Sequence, residues 1–435
     1  SGAGKEVQYS QRRKKRLCQG IAGSGYAGDL QEQPGIDEGN MFQSVRKKYE
    51  HTIYAGYIGY ITQAIVNNFA PLLFLTFSKD YGLTLDKITL ITTVNFFVQL
   101  CVDLLSAKVM DRIGYRKGIV CAHLFAALGL AGMAVLPDMT GDPYVGLMIS
   151  IVLYAIGGGI IEVLISPIIE SCPTEKKEAA MSLLHSFYCW GHVFVVLAST
   201  AFFQICGVGN WKILACVWAL LPLFNMLYFA LVPLYPVVEE HEALSLKGLF
   251  GQKIFWLFMV IMICAGASEQ AMSQWASAFA EAGLKVSKTV GDLAGPCAFA
   301  LLMGSSRALY AKFSDKLPLK LFMKISAILC IGCYVIAVFS GQAMIGLAGC
   351  AFCGFSVGIF WPGTFSIAAG RLRGGGTAMY ALMALAGDVG CSSGPTVVGM
   401  VANAFGGNLK AGLCAAMVFP FIIWIGISLL GRTEK

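Results

Sequence analysis

Twelve predominantly apolar stretches, most of them about 20 residues or longer, recur along this chain, and no other feature narrows its fold so far. A helix of about 20 apolar residues crosses a hydrocarbon layer of about 30 Å. The stretches lie near 53–77, 88–110, 118–137, 145–169, 181–204 and 212–234, and again near 254–280, 288–311, 320–339, 343–368, 377–405 and 409–430. A hydrophilic connection, YPVVEEHEALSLKGLFGQK (235–253), separates the two sets of six. With 57% hydrophobic and 13% charged residues the chain is far from a soluble domain, where about a quarter of residues are charged. The expected fold is an all-α membrane protein of twelve transmembrane helices. Its expected parts are a tail over 1–50, a six-helix bundle over 51–234, the linker over 235–253 and a second six-helix bundle over 254–435.

Charge orients the spans. With the N-terminus inside, 26 of the 32 Lys and Arg residues fall in inner segments and 6 in outer ones. Without the tail the ratio is still 17 to 6. The positive-inside rule then places both termini in the cytoplasm of a multi-pass plasma- or inner-membrane protein. An internal repeat agrees: AKVMDR (107–112) ends span 2 and AKFSDK (311–316) ends span 8. A repeat that returns after six spans in the same orientation marks parallel halves related by a pseudo-two-fold axis along the membrane normal.

The remaining features are less specific. No secretory signal is visible, because the basic run QRRKKR (11–16) is followed by GSGYAGDLQEQPGIDEGN rather than an apolar core. Residues 1–50 read as a disordered, basic cytosolic tail, with Met41 a candidate natural start. The net charge of +7 owes much to this tail and does not argue for nucleic acid as a partner. Of the 15 cysteines, two C-x-x-C pairs, Cys330/Cys333 and Cys350/Cys353, fall inside spans with no His or acid beside them. They read as small packing residues, and no metal or other cofactor is expected.

At the loop between spans 2 and 3 the chain resembles the major facilitator superfamily. That family's motif runs G-x3-D-R-x-G-R/Y-R-K, and AKVMDRIGYRK carries Asp111, Arg112, Gly114, Arg116 and Lys117 in register, with Ala107 in place of the first Gly. The second half keeps Asp315 and Lys316. The resemblance implies a gate in which Asp111 accepts from backbone N–H groups at the start of span 11, where GGGT (374–377) would face it. Within the superfamily, Glu162 to Pro167 (E-x4-P) and AAMSLLHSFYCWG (179–191) are similar to the fucose–galactose–hexuronate proton symporters. That likeness implies a role for Glu162 in sugar binding and proton coupling. Where those symporters carry an aspartate in span 1, this chain has Asn67 and Asn68.

Four acids lie deep in spans: Asp103, Glu162, Glu269 and Asp388. A carboxylate at mid-span costs about 2.5–3.5 kcal/mol on insertion scales, so each needs a reason. Lys108 and Arg307 lie near inner ends, which leaves the acids without an obvious cationic partner and suits them to take up and release an ion. All four are candidate coupling groups. The candidate solute site gathers Gln63, Asn67 and Asn68 of span 1, Glu162 and Ser166 of span 4, and Tyr188 of span 5. It adds Gln270, Gln274 and Trp275 of span 7, Trp361 of span 10 and Asp388 of span 11. Ser166 and Ser392 lie at i+4 from Glu162 and Asp388, on the same helix faces. His185 and His192 read as capping or packing residues. Pro395 is expected to loosen span 11.

The absence of a deep cation disfavours phosphates and organic anions as cargo. Carboxylates, amides and an indole suit a sugar or similar neutral solute, moved by a single chain and coupled to protons, with sodium as the alternative ion. A proton-coupled exporter of drugs or organic cations is the rival reading, although GHVFVVLAST (191–200) lacks the glycine-and-proline pattern such exporters often carry in span 5. A non-transporting sensor is disfavoured, and so is an enzyme: the five histidines form no H-x3-H or H-E-x2-H pair.

Overall fold

The computed structural model describes residues 45–83, 85–236, 244–284, 288–406 and 408–432. The tail expected over 1–50 lies outside them up to residue 44, and so do 237–243 of the linker. From Val45 onward the chain forms one compact unit.

Twelve spans are present, and the described residues contain no strand. In the first half they are Tyr49–Asn68 continued by Phe74–Tyr81 (span 1), Leu85–Ile113, Tyr115–Met139, Pro143–Ser171, Lys177–Cys206 and Trp211–Leu231 (span 6). In the second half they are Lys253–Leu284 (span 7), Lys288–Phe313, Leu319–Phe339, Ala343–Val357 with Phe360–Arg371 (span 10), Gly376–Ala404, and Leu409–Ala416 with Val418–Arg432 (span 12). Helices are what this composition permits, because a helix satisfies its own backbone polar groups where no water can. The linker is not wholly irregular. Ser245 caps a short helix, Leu246–Gly251, by accepting from Gly248 N at 3.1 Å.

Among the described residues, nine spans are long and apolar enough on their own to cross a membrane. Spans 1 and 11 fall short. They hold Gln63, Asn67 and Asn68, and Asp388, Ser392 and Ser393. Around the outside, large apolar side chains stand exposed, among them Phe97, Leu105, Phe194, Leu220, Leu227, Phe339 and Met400. A soluble surface would not tolerate such a belt, whereas lipid contacts it without cost.

Proline explains the breaks. Pro71 lies in a 3-10 turn, Ala70–Leu73, that interrupts span 1. Pro362 has no N–H for the carbonyl four residues back, Gly358, and span 10 breaks there. Pro395 does not break its span: span 11 is one helix, Gly376–Ala404, with the proline inside it. Spans 7 and 11 press together through small residues. A Cβ on Gly394 would fall 2.6 Å from the Ala267 carbonyl oxygen, and one on Gly390 would strike that of Ile263. Across the two halves, span 5 packs on spans 8 and 10, and span 11 packs on spans 2 and 4.

Candidate transport site

Spans 1 and 4 face each other through two polar contacts a helical turn apart. Gln63 Nε2 donates to Glu162 Oε2 at 2.5 Å, and the hydroxyls of Tyr60 and Ser166 share a hydrogen bond of 2.9 Å. Tyr60 and Gln63 are three apart, Glu162 and Ser166 four apart, so each pair lies on one helix face. His185 closes the group, its Nε2 at 3.3 Å from Tyr60 Oη and 3.5 Å from Ser166 Oγ. Of the capping and packing roles expected for it, His185 takes a buried one within this network.

A second polar group lies beside the first. Asn67 Oδ1 accepts from Gln99 Nε2 at 2.8 Å and from Asn95 Nδ2 at 3.3 Å, and Asn67 Nδ2 donates to Tyr188 Oη at 3.5 Å. Asn95 and Gln99, both buried, are not among the residues expected from the sequence, where only the acid of span 2 stands out. Their i, i+4 spacing was the available signal. Asn68 does not join; its amide turns back to the Ala64 carbonyl at 2.8 Å.

The acids divide. Asp103 is fully buried, and neither of its oxygens has a hydrogen-bond donor among the described residues. Its carboxyl faces that of Asp388 across the boundary between the halves, with Glu162 close enough to interact with both. Glu269 differs: Arg307 Nη2 stands 3.7 Å from its Oε2. The expectation that no cation reaches these acids is thus wrong for Glu269. Counting residues put Arg307 near a helix end, but side chains lean toward the N-terminus of their helix. Spans 7 and 8 run in opposite directions, so Arg307 and Glu269 lean toward each other.

Arg307, 3% exposed, is heavily engaged. Its Nε donates to the Gly358 carbonyl at 2.6 Å, the group that Pro362 leaves without a helical partner. Its Nη1 donates to the His185 carbonyl at 2.9 Å and lies 2.8 Å from Cys189 Sγ. Ser182 Oγ in turn donates to the Arg307 carbonyl at 2.7 Å. One side chain therefore joins spans 5, 7, 8 and 10.

Other candidates take humbler places. The Trp361 ring lies against span 11 at Gly387, where a Cβ would collide with it, one residue before Asp388. Gln270 and His192 are partly buried. Ser392 is exposed and donates to its own helix at the Asp388 carbonyl, 3.0 Å away, so it does not share a site with the Asp388 side chain. The side chains of Asp111, Gln274 and Trp275 lie outside the described ones. Among the described residues, no His, Cys, Asp and Glu side chains cluster as a metal would require.

At the face where the described chain begins and ends, the halves are fastened together. Tyr115, at the start of span 3, hydrogen-bonds Thr377 of span 11, so GGGT does meet the span 2–3 loop. Lys176 pairs with Asp315, and Tyr310 Oη donates to Glu178 Oε2 at 2.7 Å. Gly114 has φ +88°, which lets the chain turn sharply between spans 2 and 3. Arg116 works within its own half. It donates at 2.9 Å to each of the Phe229, Ala230 and Val232 carbonyls at the end of span 6, a favourable place for a cation. Arg112 and Lys117 are exposed.

The sequence profile of the Major Facilitator Superfamily matches residues 56–431. The chain belongs to the Major Facilitator Superfamily. Its fold is that of solved members of this superfamily. The transporter FucP in the outward conformation superposes with a TM-score of 0.74 at 15% identity, over 87% of this chain and 98% of that one. FucP is the E. coli fucose:proton symporter. The proton:xylose symporter XylE bound to 6-bromo-6-deoxy-D-glucose gives 0.71 at 13% identity, over 88% and 95%. The human organic anion transporter MFSD10 (TETRAN) gives 0.66 at 13% identity, over 88% and 100%. No curated protein matches the chain closely in sequence. At these identities the superfamily likeness establishes the fold of a multi-pass membrane transporter, and the site's chemistry must be argued from its own residues.

Proposed function

We propose that this chain is a secondary active transporter that moves a small neutral solute, a sugar, together with protons by alternating access. The observation that carries this reading is Glu162. It is an interior carboxylate held by a neutral amide, Gln63, and bordered by the Tyr60 and Tyr188 hydroxyls rather than by a cation. Such a group accepts from sugar hydroxyls and can exchange a proton without breaking an ion pair. The likeness in fold to fucose:proton and proton:xylose symporters supports the same choice. Arg307 does not argue for an anion, because its guanidinium is engaged by Glu269 and by backbone carbonyls. In this reading the two six-helix halves, 51–234 and 254–435, rock about the site, and both termini face the cytoplasm. The fastened terminal face is then the closed inner gate of an outward-facing state.

A second reading has an observation of its own. Four interior acids stand against one guanidinium, an excess that an organic cation would also balance. A thermal-shift screen of the purified protein against sugars, nucleosides, amino acids and cationic drugs separates the two, since a ligand of the folded state stabilises it by mass action. Stabilisation by a sugar supports the first reading. A response confined to cations overturns it.

A further inference from the structure

Asp103 and Asp388 come from different halves, and their carboxyls face each other between spans 2 and 11. Both oxygens of Asp103 are buried without a donor among the described residues. An ionised carboxylate only accepts hydrogen bonds, so two of them facing each other make none and repel. One proton between them changes both facts: a hydroxyl then donates to the opposite carboxylate, a short and strong type of bond.

The charged and titratable groups around the pair offer no substitute for that proton. Span 4 presents Glu162, another acid. Span 7 presents Glu269, which Arg307 of span 8 already engages, and span 11 carries Cys391 one turn on from Asp388. Spans 1, 3, 10 and 12 bring no charged side chain to the pair among the described residues. Span 10 contributes the Trp361 ring at Gly387, next to Asp388.

We infer that Asp103 and Asp388 hold a single proton between them, and that this shared proton straps span 2 to span 11 across the two halves. Glu162 touches the solute in the reading above, on which this inference rests for its place in transport. The carboxyl pair touches the boundary that must open. Release of its proton to solvent through Asp388, which is partly exposed, leaves two facing negative charges, which part spans 2 and 11. The pair thus makes the opening of that boundary depend on deprotonation.

The chemistry also says which substitutions leave the strap in place. An Asn at either position donates its amide N–H to the remaining carboxylate and replaces the proton. An Ala leaves a buried carboxyl with no partner. The test is the melting temperature of the full chain in nanodiscs from acid to alkaline pH, beside solute exchange in proteoliposomes. The wild-type melting temperature should fall as pH rises and the proton is lost. Asp103→Asn and Asp388→Asn should each remove the same part of that fall, and the double variant no more than either alone, because there is one proton to remove. Both Asn variants, strapped at every pH, should slow solute exchange about tenfold or more, the scale of one charge-assisted hydrogen bond. Asp103→Ala should melt lower than Asp103→Asn at every pH.

An undiminished fall in both Asn variants overturns the proposal. So do two separate decrements that add in the double variant, since these mean two independent acids. Glu162→Gln separates this inference from the functional reading. If that variant still concentrates solute while the Asn variants flatten the pH profile, the Glu162 reading fails and the strap stands. The reverse pattern removes the strap and leaves Glu162 as the coupling group.

Discussion

Glu162 and Glu269 are the same residue type at interior positions of opposite halves, and the protein treats them differently. Glu162 receives a single amide hydrogen from Gln63, while Glu269 stands against a buried guanidinium. An acid opposite a cation is spent on architecture, because removing either partner strands a charge. An acid opposite an amide is left with a choice of protonation state. Burial and residue type did not distinguish the two; the partner did.

That contrast can be broken at several points. Replacing Glu162 with Gln should abolish concentrative uptake in proteoliposomes while sparing counterflow, since binding survives better than coupling. Uptake against a gradient in this variant would remove Glu162 from the coupling step. Next in size, Arg307→Ala leaves Glu269 buried without its cation and should lower stability by about 3–5 kcal/mol, read from denaturation in detergent. The double variant with Glu269→Gln should recover much of that loss, and no recovery would mean that the carbonyl contacts of Arg307 matter more than the ion pair. Gln63→Ala should weaken solute affinity by about tenfold, the scale of one hydrogen bond to a charged group. Lys176→Ala should cost no more than about 1 kcal/mol and less in high salt, because the pair with Asp315 is exposed.

The spans were legible from hydropathy because a bilayer fixes the length of every crossing, and even spans 1 and 11 showed despite their polar residues. Glu162 and Ser166 were legible as one face because helical periodicity alone puts them there. Arg307 was misjudged for a geometric reason: depth was counted in residues, whereas a six-atom side chain leaning toward mid-membrane reaches further than a turn of helix. His185 was read from its position in the chain, near a span start, and that position is silent about Tyr60 and Ser166 on other spans. The span 2–3 motif is defined by its charged members and is silent about Tyr115, whose hydroxyl makes the contact to Thr377. Which acid would receive a cation was a matter of tertiary neighbours, and no local pattern encodes those.

The bond from Arg307 to the broken turn of span 10 has a consequence for motion. Of the groups this guanidinium touches, Gly358 and Glu269 travel with the second half, while the His185 carbonyl and Cys189 belong to the first. If the halves part between spans 5 and 8, as the proposed alternating access requires, the cation departs with Glu269 and stays neutralised there. What it leaves behind is a carbonyl on a continuous helix and a thiol, neither of which carries charge. At this point the seam can therefore part and reseal without stranding the charge of Arg307.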